Sequence, residues 1–416
     1  MKRKGISVPT LYWHEKRNLI LNFPKRWDVQ IHHMTGYNAP GLNDEQIRIR
    51  IAKPINADAI RDLASQRTEA VVIFDDMTRP TQCFRIVPHV INELSKGGIS
   101  DEHVRFVVAL GAHGVNTRMD FAKKLGQEVV ERFPVYNHNP FGNLRDLGST
   151  KRGTPVQISE EVMRCDLKIG IGSVLPHSMA GFGGGGKIIL PGVSSVESIC
   201  HNHCDIGHDC HEHGAWSGWK PVEGNESRAD IDEASRMAGL DFKIDAIVNE
   251  RGEISDLLAG DSIDAWRKGV EIAKKTYSTK TQTDFDVVVA NAYLKANQAV
   301  SAMNIATHAV REGGTVVLIA NSPEGQCLHY LYGKFGKKIG GKLRSRPPSY
   351  PKKVTTIVYS QYKEKDPLLE IADSERLVWT KTWSETIEAV ASSIVTDSPK
   401  VGIFPAACIQ VPAQFS

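Results

Sequence analysis

The sequence predicts an α/β protein with mostly parallel sheets, divided into two α/β domains with the active site in the cleft between them. Short β-branched apolar runs end in Gly, Asp or Pro and are followed by stretches with helical periodicity. Near-continuous apolar runs of this kind are typical of parallel strands buried on both faces. The length of 416 residues exceeds one ordinary core and suits two domains.

The first predicted domain covers residues 1–275 and contains three such strand runs. They lie at 70–74, 104–110 and 167–172, and polar or ionisable residues follow each of them. Ligands in open α/β sheets bind at the carboxyl ends of the strands. These polar residues are therefore expected to share one active site.

The second predicted domain covers residues 276–416 and repeats the pattern. Residues 286–290 read as a strand, 295–311 as a helix and 315–320 as a second buried strand. That order predicts a second α/β unit, which a hinge near residue 275 would close over the substrate. Residues 336–353 read as a surface loop, and 214–230 as an insertion, because periodicity lapses there.

Composition argues against several classes of function. A net charge of +3 without a basic block disfavours nucleic acid as a partner. The sequence contains no run of about 18 apolar residues and therefore predicts no membrane-spanning helix. The basic start lacks the apolar region of a secretory signal. The seven cysteines are odd in number and scattered, which fits reduced thiols. A cytoplasmic location is the resulting expectation.

A glycine run at 181–187 ends in Lys187 and satisfies the spacing G-x-x-x-x-G-K. Gly183, Gly184, Gly185 and Gly186 would let backbone N–H groups converge on an anion, and the lysine adds a charge. A P-loop is the first alternative, but Ile188 replaces the magnesium-binding hydroxyl and the preceding strand is displaced. We therefore favour a phosphate cradle without NTP hydrolysis over a flexible turn.

Cysteines and histidines are concentrated between residues 200 and 213, a segment that includes His203. Imidazole and thiolate groups at this density suggest a metal. A hydrophilic surface tract explains them equally well, and a structural zinc finger is not supported. One alternative function is therefore a protein that handles nickel or zinc through this cluster.

Four further residues follow strand ends and could carry chemistry. His113 and His177 are candidates for proton transfer near neutral pH, although a single histidine in such a place is more often a hydrogen-bonded loop residue. Arg79 could hold a carboxylate or phosphate, with Asp76 fixing its orientation. The alternative is a surface Asp–Arg pair of little energetic value.

Together these motifs resemble the lactate racemase family (LarA type, the enzymes that use a nickel-pincer nucleotide). Residues 76–80 are similar to the family's D-[IM]-T-R-P, and 111–113 to its G-[TA]-H. Residues 177–187 match H-x-x-A-G-F-[SG]-G-G-[GA]-K, and His203 stands at the expected distance beyond the lysine. The resemblance spans most of the chain, with the motifs in the family's order.

The resemblance implies a racemase or epimerase that inverts C2 of a 2-hydroxy acid by hydride transfer. Its cofactor would be pyridinium-3,5-bisthiocarboxylic acid mononucleotide with nickel, made by upstream biosynthetic enzymes. Lys187 would tether it, His203 would ligate the nickel, and the glycine run would hold its phosphate. His113 and His177 would be the acid/base pair, Arg79 would bind the carboxylate, and Asp76 would orient Arg79 or the cofactor.

One position departs from the family's pattern. The family has a glutamine followed three residues later by a lysine, both reaching the substrate. Here Gln298 is present but Ser301 replaces the lysine, and Lys295 lies one turn earlier. A lost charged contact is worth about 1.5–3 kcal/mol. We therefore expect a substrate other than lactate, either bulkier or polyhydroxylated.

Overall fold

The computed structural model describes residues 5–15, 17–207, 221–331, 338, 353–364 and 377–415. Within these ranges the strands are β1 (Ile6–Thr10), β2 (Arg17–Leu21), β3 (Asp28–Ile31), β4 (Ala70–Asp75), β5 (Val104–Ala109), β6 (Val135–Asn137), β7 (Leu144–Ser149), β8 (Pro155–Ser159), β9 (Leu167–Ser173), β10 (Pro176–His177), β11 (Gly181–Phe182), β12 (Phe242–Val248), β13 (Ile254–Gly260), β14 (Ser278–Thr279), β15 (Phe285–Asn291), β16 (Val310–Ile319), β17 (Thr355–Tyr359), β18 (Leu377–Thr380), β19 (Lys400–Phe404) and β20 (Val411–Pro412).

The α-helices of the same ranges are α1 (Asp44–Ala52), α2 (Ile60–Ala64), α3 (Cys83–Lys96), α4 (Arg118–Leu125), α5 (Gln127–Arg132), α6 (Glu160–Met163), α7 (Val196–Cys200), α8 (Glu226–Ala238), α9 (Asp264–Tyr277), α10 (Met303–Ala309) and α11 (Trp383–Ser393). A π-helix covers His201–Ile206. Short 3-10 segments cover Asp101–His103, Gly185–Ile188, Tyr293–Ala302 and Ala413–Phe415.

The first sheet has the strand order β13-β12-β9-β4-β5-β6. β12 and β13 are antiparallel, and the other neighbours are parallel. Every residue of β4 and β9 is buried, because separate apolar clusters cover the two faces of the sheet. These strands are the ones that the apolar runs predicted.

The second sheet has the order β18-β17-β16-β15-β19-β3, with parallel neighbours throughout. Its central strands β15 and β16 are buried between two further apolar clusters. The predicted α/β class with mostly parallel sheets in two units is therefore confirmed.

The chain passes between the two sheets more often than a division at residue 275 allows. β3 comes from the amino-terminal part but pairs with β19 in the second sheet. Residue 275 lies in the last turn of α9, which ends at Tyr277, and the hinge near this position stays a prediction. β3 has only four residues, half-buried or exposed, and therefore lacks the apolar run that a sequence reading detects. The boundary between 1–275 and 276–416 stays a prediction.

The predicted insertion at 214–230 is wrong from residue 226 onward. Asn225 accepts a hydrogen bond from the Arg228 N–H and begins α8, which buries Ile231 and Ala234. Residues 214–220, residues 208–213 of the cysteine and histidine cluster, and nearly all of the predicted loop 336–353 lie outside the described residues.

The helices of the described ranges are all too short or too polar to cross a lipid bilayer.

Candidate active site

A cavity of about 210 Å³ lies at the carboxyl ends of β4, β5 and β9, and the second unit supplies part of its wall. Most of the residues predicted to form the active site line this cavity together. They are Asp76, Arg79, His113, His177, Gly183, Gly184, Lys187, His203, Gln298 and Ser301. Parallel strands deliver their following loops to one edge of the sheet, which is why separated motifs meet there.

His113 is held by Asp76 in the loop that follows β4. His113 Nδ1 lies 2.6 Å from Asp76 Oδ2, and Asp76 is only 4% exposed. Burial alone would raise the pKa of Asp76, but the neighbouring His113 and Arg79 hold it well below its usual value. The carboxylate accepts the proton on Nδ1, so the neutral ring offers the Nε2 lone pair to the cavity.

A closed ring of hydrogen bonds links this pair to the second unit. The side-chain amide of Gln298 places Nε2 3.4 Å from His113 Nε2, while its Oε1 accepts from Arg79 Nη1 at 2.9 Å. Arg79 Nη1 also donates to Thr78 Oγ1, and that hydroxyl donates to Asp76 Oδ1. The ring fixes the Gln298 amide with its oxygen toward Arg79 and its nitrogen toward His113.

His177 stands in the β10–β11 hairpin on another wall of the cavity. Its Nδ1 accepts the backbone N–H groups of Met179 and Ala180 at 3.2 and 3.3 Å. A neutral ring with an accepting Nδ1 carries its proton on Nε2. Burial, and next the charge of Lys187, lowers the pKa of His177 well below its ordinary value. His177 therefore presents a donor where His113 presents an acceptor.

Lys187 is a buried amine, and no group of the described chain forms a hydrogen bond with its Nζ. Burial, reinforced by the charges of Arg228 and Arg79, lowers its pKa to about 7. The lowered pKa favours the free amine, which is the nucleophilic form. The position therefore fits a covalent attachment point.

The last two glycines of the run serve packing. The Gly185 N–H donates to Asp245 Oδ2 at 2.7 Å, so that donor is already used by a carboxylate. A Cβ at Gly185 would lie 2.4 Å from Arg228 Nη2, and one at Gly186 2.8 Å from Ser235 Cβ. Gly185 and Gly186 are not among the residues that line the cavity, and their place in a phosphate cradle stays a prediction.

A P-loop is also contradicted by the secondary structure. Lys187 belongs to the four-residue 3-10 segment Gly185–Ile188, whereas the lysine of a P-loop opens an α-helix whose N-terminus faces the phosphates. The turn is held from behind, since Trp266 donates to the Gly183 carbonyl and Arg228 to the Gly184 carbonyl.

His203 reaches the cavity from the π-helix His201–Ile206, and only 6% of its surface is exposed. π-Helices are rare and are frequent at functional sites. The fully buried Asp230 carboxylate anchors this turn, because it accepts from Asn202 Nδ2 and from the Thr154 hydroxyl, which also contacts His201. Among the described residues no three His, Cys, Asp or Glu side chains gather as a metal-binding group.

The second unit contributes Lys295, Gln298 and Ser301 to the wall. The backbone leaves helical geometry at Lys295 (φ −139°) and at Gln298 (φ −135°). The Ser301 hydroxyl donates to the Gln298 carbonyl at 3.0 Å, so it can offer a ligand only an acceptor. Burial, and next the charge of Arg79, lowers the pKa of Lys295 to about 7.

Sequence reasoning missed two buried ion pairs beneath the cavity. Lys124, 1% exposed, contacts Asp75 Oδ1 at 2.7 Å and donates to the carbonyls of Asp76 and Arg79. Lys243 contacts Asp245 at 2.6 Å, and both side chains are 1% exposed. Lys243 and Asp245 both lie inside an otherwise apolar strand, an irregularity that could have drawn attention to the pair. The loop of His329, which also lines the cavity, carried no such signal.

The fold and the site together define a class: a two-unit α/β enzyme with paired histidines and a buried amine facing one cavity. Residues 14–214 match the family model described as the lactate racemase N-terminal domain. The lactate racemase of Thermoanaerobacterium thermosaccharolyticum is 25% identical over 96% of this chain and 97% of its own length. That of Lactiplantibacillus plantarum is 28% identical over 68% of this chain and 66% of its own.

Solved structures share the fold. The apoprotein of the T. thermosaccharolyticum lactate racemase superposes with a TM-score of 0.72 at 21% identity, covering 98% of this chain and 99% of that one. A protein from Thermotoga maritima gives a TM-score of 0.66 at 17% identity, covering 88% and 97%. The matching domain model and the two curated relatives support the assignment of the chain to the lactate racemase family.

Proposed function

We propose that the protein is a racemase or epimerase that inverts C2 of a 2-hydroxy acid. The observation that carries the proposal is the position of the Gln298 amide between Arg79 and His113. Its oxygen accepts from the arginine, and its NH2 group faces the Nε2 lone pair of the histidine. A 2-hydroxy acid needs the same two partners, an arginine for its carboxylate and a base for its hydroxyl.

The residues of the cavity fit the nickel-pincer nucleotide that the family resemblance implies. Lys187 Nζ is buried, accepts or donates no hydrogen bond within the described chain, and has a pKa near 7. An amine in that state suits an amide-type bond to the cofactor. His203 lines the same cavity and offers an imidazole as the metal ligand. When bound, the cofactor supplies the acceptor for the C2 hydride and its electron pair.

In this proposal the chain binds the substrate and moves its proton. Arg79 binds the carboxylate, and His113 Nε2 accepts the hydroxyl proton while Asp76 keeps the Nδ1 proton in place. A 2-oxo acid results, and return of the hydride to its opposite face gives the other hand. His177 serves the substrate oxygen in that second orientation, from the wall formed by the β10–β11 hairpin.

We further propose that lactate is not the preferred substrate. Ser301 supplies an oxygen acceptor at the position where the family's pattern has a lysine. An acceptor favours a substrate whose side chain carries hydroxyl donors over one that ends in a methyl group. Turnover of lactate, malate, phenyllactate and gluconate, followed by chiral chromatography, tests this. Lactate as the fastest substrate would contradict it.

The attachment of the cofactor is tested by intact mass and nickel content after co-expression with the enzymes that build the cofactor. We expect an adduct of cofactor mass on the wild type and none on Lys187→Ala. Lys168→Ala is the matched control, because Lys168 is also a buried lysine but binds the Cys165 carbonyl far from the cavity. Unmodified wild-type protein would remove this support for the proposal.

Hydride transfer is tested separately with a C2-deuterated acid in ordinary water. A hydride that leaves and returns within the closed site keeps its deuterium in the product of opposite hand. Racemisation through a carbanion would instead exchange the deuterium with solvent. Mass spectrometry of the separated enantiomers distinguishes the two, and loss of deuterium at the rate of inversion contradicts the proposal.

The two alternative functions have less support. A P-loop protein would need the helix and the hydroxyl that Gly185–Ile188 does not provide. A metal-handling protein would use several side chains of the 200–213 cluster, and it predicts that Lys187→Ala binds nickel as well as the wild type.

A further inference from the structure

Lys295 is a buried amine that the proposed mechanism does not use. It lies in the wall that the second unit contributes to the cavity, and only 6% of its surface is exposed. The chain leaves helical geometry at Lys295 and again at Gln298, three residues later. The side chains of Lys295 and Gln298 both line the cavity.

The carboxylates around the cavity are already engaged. Asp75 contacts Lys124, Asp76 contacts His113, and Asp245 contacts Lys243 and the Gly185 N–H. Within the described chain no carboxylate lies within ion-pair distance of Arg79 or Lys295. Among the described residues, the cavity therefore presents a guanidinium and an amine without a carboxylate partner. An unpaired charge in a buried position is costly, so an anion from outside would stabilise the charged forms of both groups.

We infer that Lys295 is the second carboxylate ligand of the substrate and takes the place of the lysine that Ser301 replaces. This inference rests on the proposed function, which supplies the anionic substrate. Arg79 would bind the carboxylate from the loop after β4, and Lys295 would bind it from the second unit. Substrate binding would then hold the two units together through one anion.

The role of Lys295 can be tested on the apoprotein, without cofactor or turnover. Acetic anhydride at pH 7.5 acetylates accessible neutral amines, and peptide mass spectrometry reports each lysine separately. The lowered pKa of Lys295 makes it a substrate for this reagent. We expect lactate, malate, phenyllactate or gluconate to reduce acetylation of Lys295 at least threefold. Propane-1,2-diol lacks the carboxylate and should give no protection.

Lys168 provides the internal control in the same digest. It is a buried lysine whose pKa is also lowered by burial, but its Nζ donates to the Cys165 carbonyl, remote from the cavity. Its acetylation should not change with any of the acids. The inference is overturned if none of the acids protects Lys295, if the diol protects it equally, or if inorganic phosphate protects it and the carboxylates do not.

Kinetics of the cofactor-loaded enzyme give a second, independent test. Lys295→Met should raise KM about 10- to 100-fold, the cost of losing a charged hydrogen bond, with a smaller change in kcat. Adding Ser301→Lys to Lys295→Met should recover most of the lost affinity, because it returns a cation to the position used in the family's pattern. An unchanged KM, or no recovery in a folded double variant, contradicts the inference.

The two proposals fail in different ways. If the loaded enzyme inverts none of the acids while carboxylates still protect Lys295, the racemase proposal fails and the assignment of Lys295 as an anion ligand stands. If inversion occurs but Lys295→Met is indistinguishable from the wild type, only the assignment of Lys295 fails.

Discussion

His113 and His177 face the same cavity but are held in opposite ways. The Nδ1 of His113 contacts a side-chain carboxylate, Asp76, at 2.6 Å. The Nδ1 of His177 accepts two backbone N–H groups from its own hairpin. One ring therefore presents an Nε2 lone pair to the cavity, and the other presents an Nε2–H group. Two histidines with corresponding places in the sequence have different proton arrangements at rest.

Under the proposed mechanism, this difference means that the two hands of the substrate do not meet equivalent sites. A substrate with a single stereocentre has an equilibrium constant of one, so kcat/KM must be equal for its two hands. For such a substrate the asymmetry can appear only in kcat and KM taken separately, which are therefore the quantities to measure in the two directions.

The largest expected effect comes from removing either ring. His113→Ala and His177→Ala should each lower kcat by about 10²- to 10⁴-fold in both directions, because proton transfer by a positioned side chain contributes that much. Chiral chromatography of the cofactor-loaded variants measures it. A loss confined to one variant would mean that a single histidine serves both hands, which contradicts the proposed pairing of His113 and His177.

A smaller effect should come from Asp76→Asn, which removes the carboxylate that holds the Nδ1 proton of His113. The amide cannot hold the Nδ1 proton as the carboxylate does, and we expect kcat to fall about 10²-fold with the fold retained. The pH profile of kcat should shift as well, which a merely structural change would not produce. Asp62→Asn, an exposed aspartate in α2, is the control and should leave both unchanged. Wild-type kcat in Asp76→Asn would show that His113 needs no partner.

The smallest effect concerns stability and uses His138, a buried histidine outside the cavity. Burial outweighs its hydrogen bond to the Ser194 carbonyl and lowers its pKa from 6.5 to about 4. Between these values the unfolded chain binds the extra proton, so stability falls as pH falls from about 6.5 to 4. At pH 5 the loss is about 2 kcal/mol, fully absent above pH 7.5.

Chemical denaturation of His138→Gln at pH 7.5 and pH 5 measures this contribution. The variant should lose less stability than the wild type on acidification, by about 2 kcal/mol. Equal losses in the wild type and the variant would mean that burial of an imidazole does not explain the lowered pKa, and the same explanation for His177 would weaken.

The sequence predicted the strands that build the site because buried parallel strands leave a local signal. The runs at 70–74, 104–110 and 167–172 became β4, β5 and β9. The sequence did not predict β3, because a short edge strand with half-exposed residues has neither an apolar run nor clear alternation. The sequence around residues 28–31 contains no signal that this segment pairs with a strand near residue 400.

The site was predicted best where a motif carries its own chemistry. His113, His177, Lys187 and His203 were identified from spacing and resemblance, and they line one cavity. The sequence did not predict the protein groups that pack against Gly185 and Gly186, because a glycine run shows where other groups can approach the backbone but not which groups do. Here the approaching groups are Asp245, Arg228 and Ser235.

The sequence by itself determined the class of fold, the family and the set of chemical groups, since these depend on local periodicity and on motifs read along the chain. Only the tertiary structure decided which groups meet: Asp76 with His113, Gln298 between Arg79 and His113, and Lys295 at the same cavity as Arg79. The physical reason is that hydrogen bonds and charges act over a few ångströms in space, whatever the separation along the chain.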